Sequence, residues 1–351
     1  MSEKRSDKAV VAMAVALLAV ILVGEVVVYT SDYTDYSASA SAEDGVITYT
    51  VSADGSKSYS VVVSDSNGYE KVTRLYLYYD ESYASDVEDV EADVGAPALT
   101  QSYYLKQLVQ LLEYRGVTDV TYVDAQELAE VLSASVAAGS SAGIGLVCLN
   151  GALPDTVYTG NAGDLILTWL ESGGSLYWAG NTIGSEYATT EGVVAVEGDY
   201  QTLFLGSDCL NTDETLTRAY EEYSGNAYRS ALSLSNNNVK YGVSPSMVTS
   251  RACLALGYQN GGYASIVAVQ CGSGAVFVFG GDYSDYQRYD MAQVIAAGIG
   301  PQSELVAVDT GTVTRGSVSG TVEATGSDLT AYIYLGGYYP VYGKHFDLRG
   351  G

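Results

Sequence analysis

The strongest pattern in the chain comes first. Residues 9–29, AVVAMAVALLAVILVGEVVVY, carry one ionisable side chain before Tyr29, namely Glu25. An apolar run of about 20 residues is long enough to cross the hydrocarbon core as a helix. Lys4, Arg5 and Lys8 precede it, which favours a cytoplasmic tail over residues 1–8 and an outside carboxyl terminus. Ala38-Ser39-Ala40 and Ala40-Ser41-Ala42 resemble signal-peptide cleavage sites but lie well beyond the run, so an uncleaved anchor is the preferred reading. Residues 30–44 are small and polar, a linker. Then Val46–Ser52 and Ser58–Ser64 alternate apolar and polar positions around Asp54-Gly55, a β-hairpin signal. This hairpin is assigned to residues 45–70.

From Val72 the period changes. VTRLYLYYD (72–80) reads as a buried strand, and Leu105, Leu108, Leu111 and Leu112 recur at helical spacing up to Gly116. The pattern repeats. VTDVTYVD (117–124) is a strand, and Leu128, Val131, Leu132 and Val136 mark a helix. IGLVCLN (144–150) is the next strand, followed by a helix over DLILTWLES (164–172) and a strand at SLYWAG (175–180). Alternating β and α units predict an α/β domain over residues 71–300, with a mostly parallel sheet flanked by helices on both faces, as in flavodoxin-like folds. The stretch 187–250 is less regular. ACLALGY, YASIVAVQ and GAVFVFGGD (252–282) are joined by Gly-rich turns, an antiparallel edge, and a helix follows from Asp285 to Ile299. The tail, 301–351, returns to short alternating strands, which are expected to pair with the hairpin near residue 50 as a small β-domain built from both chain ends.

Charge narrows the partners. With 42 acidic residues against 16 Lys and Arg, the formal net charge is −26. Such a surface repels phosphate backbones, which argues against nucleic acid. Tyrosine is abundant, 32 against 4 Phe and 2 Trp, and suits half-exposed sheets and contact surfaces. Cys148, Cys209, Cys253 and Cys271 show no CxxC spacing, so a zinc site is not indicated. Outside the cell Cys209 and Cys253 could pair, because both fall near strand ends, whereas Cys148 and Cys271 read as buried apolar positions.

LYLYYD (75–80), LVCLNGALP (146–154), WLESGGSLYWAG (169–180) and GSGAVFVFGGD (272–282) stand in an order that resembles the class I glutamine amidotransferase-like superfamily, including its non-amidotransferase branches. The resemblance spans about residues 72–299. It implies that the third segment leads to the position of the catalytic Cys in active members. Here that stretch is Trp178-Ala179-Gly180-Asn181-Thr182, with no Cys and no Ser before Ser185, and the single histidine, His345, lies in the tail. A thiol nucleophile needs a base beside it, so the resemblance implies a branch without that chemistry.

Two acidic groups remain as candidates. Asp86, Glu88, Asp89, Glu91 and Asp93 crowd the loop after the first strand and offer oxygen ligands to Ca²⁺, although the central Gly of a calcium loop is missing. The competing reading is a solvated charge run. Asp282, Asp285 and Asp290 alternate with Tyr283, Tyr286 and Tyr289, and Asp80 and Glu81 end the first strand; Asp80, Glu81, Asp282 and Asp285 together could supply the acid pair of a glycan hydrolase. The plainer alternative makes Asp285 a helix cap. The expectation is therefore a membrane-anchored extracytoplasmic binding or structural module of the cell envelope, contacting envelope proteins or glycans, without catalysis and without a cofactor. A glycan hydrolase and a calcium-dependent surface assembly protein are the alternatives.

Overall fold

The computed structural model describes residues 36–43, 46–83, 101–211, 224–225, 228–229, 232, 234, 241–260, 262–280, 285–324, 326, 328–336 and 340–347. The strands of the two main sheets are, in chain order, β1 (Tyr36–Glu43), β2 (Val46–Asp65), β3 (Arg74–Tyr78), β4 (Val120–Val123), β5 (Ile144–Cys148), β6 (Ser175–Ala179), β7 (Cys253–Ala255), β8 (Ile266–Cys271), β9 (Gly274–Phe279), β10 (Glu304–Glu323), β11 (Asp328–Leu335) and β12 (Pro340–Asp347). The helices are α1 (Gln101–Tyr114), α2 (Ala125–Ala137), α3 (Leu165–Glu171), α4 (Tyr200–Leu205) and α5 (Asp285–Ala297).

The central sheet has seven strands in the order β7-β8-β9-β6-β5-β3-β4. β9, β6, β5, β3 and β4 run parallel, while β7, β8 and β9 form an antiparallel meander. Successive residues of its strands enter different cores, as the two-residue period requires. Leu75, Leu77, Val147, Tyr177, Phe277 and Phe279 face the α1–α5 layer with Leu105, Leu108, Leu112, Val294 and Ile295. Tyr78, Leu146, Cys148, Leu176, Trp178, Val276 and Val278 face α2 and α3 with Leu128, Leu132, Ile166 and Trp169. Phe277 stacks on Tyr177 with ring centroids 4.5 Å apart. Each fully buried side chain of this size contributes about 1.5–3 kcal/mol.

A second, five-stranded sheet is wholly antiparallel and draws on both ends of the chain. β2 pairs with β10 along nearly its whole length, β1 lies on the opposite edge of residues 46–53, and β11 on that same edge of residues 59–65. The ribbon is irregular where Arg315, at φ 44°, and Gly316 oppose residues 53–56. Ile47, Tyr49, Val51, Val61, Val63, Leu329, Ala331 and Ile333 fill its interior. Tyr49 and Tyr59 lie across Gly320 and Gly311; a Cβ on either glycine would come within 2.3 Å and 2.6 Å of the facing hydroxyl oxygen. The far half of this sheet docks on the α1–α5 layer. Gln293 Nε2 donates to the Tyr334 hydroxyl at 2.9 Å, and the Tyr332 hydroxyl donates to the Ala296 carbonyl.

Three expectations are corrected. The fold is not a mostly parallel α/β sheet: among the described residues strand outweighs helix, over several antiparallel and mixed sheets. Parallel pairs need a long crossover for every strand, whereas residues 252–280 turn tightly and two 20-residue strands pair antiparallel. Among the described residues no helix is long and apolar enough to cross a membrane, and the spanning helix expected over residues 9–29 lies outside them. The hairpin expected at Asp54-Gly55 is one continuous strand, because β10 supplies a partner on both sides of that dipeptide.

Candidate functional site

Ligands of parallel sheets bind beyond the carboxyl ends of the strands, and here that edge carries Asp80, Asp124, Asn150, Asn181 and Gly280. Asp124 caps α2: its Oδ1 accepts the Gln126 and Glu127 N–H groups at 2.9 and 2.8 Å, and Glu127 Oε2 accepts the Asp124 N–H at 3.1 Å. This reciprocal box satisfies donors that a helix start leaves open. Asp80 completes the same junction. Its Oδ2 accepts the Ala125 N–H at 3.1 Å, and its Oδ1 accepts the Ser82 N–H and hydroxyl at 2.9 and 2.6 Å. Burial pushes the Asp80 carboxyl upward, but the bonds from Ser82 and Ala125 outweigh it and hold the group below its ordinary value. Such a carboxylate is ionised at neutral pH, the opposite of what a general acid needs.

Glu81 is exposed and accepts the Tyr79 hydroxyl at 3.0 Å. Asp285 opens α5, with its side chain outside the described residues, as are all of Asp282 and of Asp86, Glu88, Asp89, Glu91 and Asp93. Asp290 is buried within α5. Among the described residues, no group of three or more His, Cys, Asp or Glu is placed to hold a metal ion.

The middle of the edge is closed by the protein itself. A Cβ on Gly151 would lie 2.3 Å from the Asn181 nitrogen, so the turns after β5 and β6 touch. The Asn181 carbonyl accepts Trp178 Nε1–H at 2.7 Å and the Tyr241 hydroxyl at 3.3 Å, and the Tyr241 N–H donates to the Gly280 carbonyl at 3.0 Å. Trp178, Ala179, Asn150 and Tyr241 are all buried. Cys148 is buried too; its thiol donates to Asn150 Oδ1 at 3.0 Å, and burial pushes its pKa up to about 12. That is a core thiol rather than a nucleophile. Beside it the Tyr78 hydroxyl is buried without a hydrogen-bond partner among the described residues, a feature that an alternating LYLYYD pattern does not reveal.

Polar groups of a different kind cover the outer face of the chain-end sheet. Register places Thr48 beside Thr321, Thr50 beside Ser319 and Ser52 beside Ser317, and β1 extends these rows with Ser41, Ser39 and Ser37. Past the bend come Ser56 with Thr314, Ser58 with Thr312 and Ser60 with Thr310. Thr50 and Ser319 are hydrogen bonded at 2.9 Å and Ser52 and Ser317 at 2.7 Å. The alternate positions of β1 and of residues 46–53, Ala38, Ala40, Ala42, Ile47, Tyr49 and Val51, turn inward. Between rows the spacing is about 6.8 Å along a strand and about 4.8 Å across strands. Charged side chains stand at the bend, where Arg315 Nε donates to the Asp54 carbonyl at 3.4 Å, and at one end of the rows, where the exposed Glu43 and Glu323 flank Val46. Serine and threonine alternation was visible in YSASASAE, TYTVS and SVSGTVE, but only the pairing of distant segments makes it one surface.

No protein-family model matches this sequence, and no curated protein matches it. A solved structure described as a cytoplasmic protein from Salmonella typhimurium LT2 is similar over 63% of this chain and 94% of its own, at 14% identity and a TM-score of 0.33. Likeness of that degree carries no functional argument.

Proposed function

We propose that the chain is a non-catalytic, extracytoplasmic binding module of the cell envelope, tethered through its apolar residues 9–29, and that its ligand is a neutral glycan held on the hydroxyl face of β1, β2 and β10. The observation that carries this reading is the composition of that face: six rows of Ser and Thr, with carboxylates confined to Asp54 at the bend and to Glu43 and Glu323 at one end, in a chain of net charge −26. A hydroxyl both donates and accepts, so a periodic array of them matches a polyol that does the same. An anionic polymer would meet the field of the surrounding acidic surface. The basic residues Lys4, Arg5 and Lys8 before the apolar run support the outward orientation. Against the hydrolase stands Asp80, committed to Ser82 and to the start of α2, with its carboxyl held low.

The test uses the full chain in detergent on immobilised neutral glucan, mannan and chitin, with a polyuronate as the acidic control. Retention on a neutral polymer, unchanged by about 1 M salt, where charge interactions are screened beyond about 3 Å, is the expected result. Release of new reducing ends that disappears in Asp80→Asn would replace this reading with the hydrolase.

A further inference from the structure

Away from both regions, two of the cysteines lie on neighbouring segments. The segment that leaves α4 runs beside the start of β7. Arg251 Nη1 donates to the Phe204 carbonyl at 2.7 Å, and Gly206 leaves room for the same guanidinium, since a Cβ there would lie 2.6 Å from Arg251 Nε. Three residues past Gly206, the Cys209 carbonyl accepts the Ser244 N–H at 2.8 Å. Ser244 opens the short 3₁₀ turn Pro245–Met247, which packs on β7, the strand that Cys253 begins. Cys209 and Cys253 thus flank one turn, within the apolar layer that holds all four cysteines. All four cysteines are free thiols, Cys209 fully buried and Cys253 half-buried.

We propose that Cys209 and Cys253 form a disulfide when the protein meets a disulfide oxidant, closing the segment between them into a loop. Cys253, the more exposed, attacks first. Its thiolate displaces one thiolate from the oxidant and forms a mixed disulfide. The Cys209 thiolate then attacks the Cys253 sulfur and expels the second. Two protein thiols lose two electrons and two protons, and one oxidant disulfide becomes two thiols, so the exchange balances. The other cysteines are engaged elsewhere. Cys148 bonds Asn150 at the far edge of the sheet, and Cys271 lies in the field of the Arg251 guanidinium, which offsets part of the rise that burial causes in its thiol. Burial, and then the neighbouring Cys209, push the Cys253 thiol up to about 12. Uncatalysed exchange is accordingly slow at neutral pH, and its rate rises about tenfold per pH unit below that value. This pairing does not depend on the glycan reading; an extracytoplasmic location would supply the oxidant.

The experiment treats the full chain with oxidised glutathione at pH 7.5 and 8.5, alkylates the remaining thiols, digests without reductant and reads the masses. The expected product is a linked peptide pair containing Cys209 and Cys253, lighter by two hydrogens, with Cys148 and Cys271 alkylated. It should form faster at the higher pH, raise the Tm, and lose that rise with reductant. Cys253→Ser, a change at a half-exposed position, should fold normally and abolish both link and Tm shift; Cys209→Ala should do the same. Four alkylated cysteines under conditions that oxidise a control dithiol, a stable glutathione adduct on Cys253, or a link from Cys253 to Cys271 would each overturn the proposal.

Discussion

The carboxyl edge of the central sheet and the outer face of the chain-end sheet are both rich in polar groups, yet they use them differently. At the edge Asp80, Asp124 and Asn181 are committed to backbone groups and neighbouring side chains, and Gly151 is pressed against Asn181. On the chain-end sheet the hydroxyls meet mainly one another across the strands and stay open to solvent. A polar group already satisfied inside the fold stabilises it and has little left for a ligand. The described part of the edge where the topology points to chemistry thus spends its polar groups on the fold, whereas the chain-end sheet presents its hydroxyls to solvent, a surface that topology alone would pass over.

The largest effect that separates the two regions is expected from Trp178→Ala at the edge. Removing a fully buried indole costs about 3–5 kcal/mol, read as a shift in the urea midpoint, while the folded fraction should retain glycan as before. Next is a pair of like charges in one row of the face, Thr50→Glu with Ser319→Glu. Glycan retention should fall at least about tenfold, or 1.4 kcal/mol, with a stability loss of about 1 kcal/mol or less; unaltered retention would remove the face from the account. Asp124→Ala should cost about 1 kcal/mol of stability through the lost cap of α2 and leave binding unchanged.

The smallest effect concerns Asp80. Its folded pKa is depressed, so the ionised carboxylate contributes stability above the unfolded value, about 3.9, and that contribution is lost as pH falls through the folded value. The gap in urea midpoint between the native chain and Asp80→Asn should be present at pH 7 and shrink below about pH 4. A gap that widens on acidification would reverse the sign assigned to this group.

Much of the central sheet was legible because its strands are buried on both faces and read as continuous apolar runs, as in SLYWAG and GAVFVFGG. The helix over α2 was legible from Leu128 and Leu132, whereas its cap, Asp124, was read as the end of the preceding strand. The dipeptide Asp54-Gly55 misled because turn chemistry is local, whereas the partner that keeps β2 extended is some 260 residues away. Parallel pairing was overcounted for a related reason: an apolar strand does not declare the direction of its neighbour. Of the candidate acids, Asp80 and Glu81 reach the strand end where they were expected, but which hydrogen bonds consume a carboxylate depends on tertiary neighbours such as Ala125. The hydroxyl face shows the same limit from the other side, since its alternation is plain in each segment and its assembly is a matter of register.

The measurement that bears most directly on the central claim is retention of the full chain on immobilised neutral polysaccharide, run beside the Thr50→Glu, Ser319→Glu variant. The account predicts salt-insensitive retention of the native chain on at least one neutral polymer and its loss in the variant. Equal retention of both proteins, or retention only on the polyuronate, would contradict it.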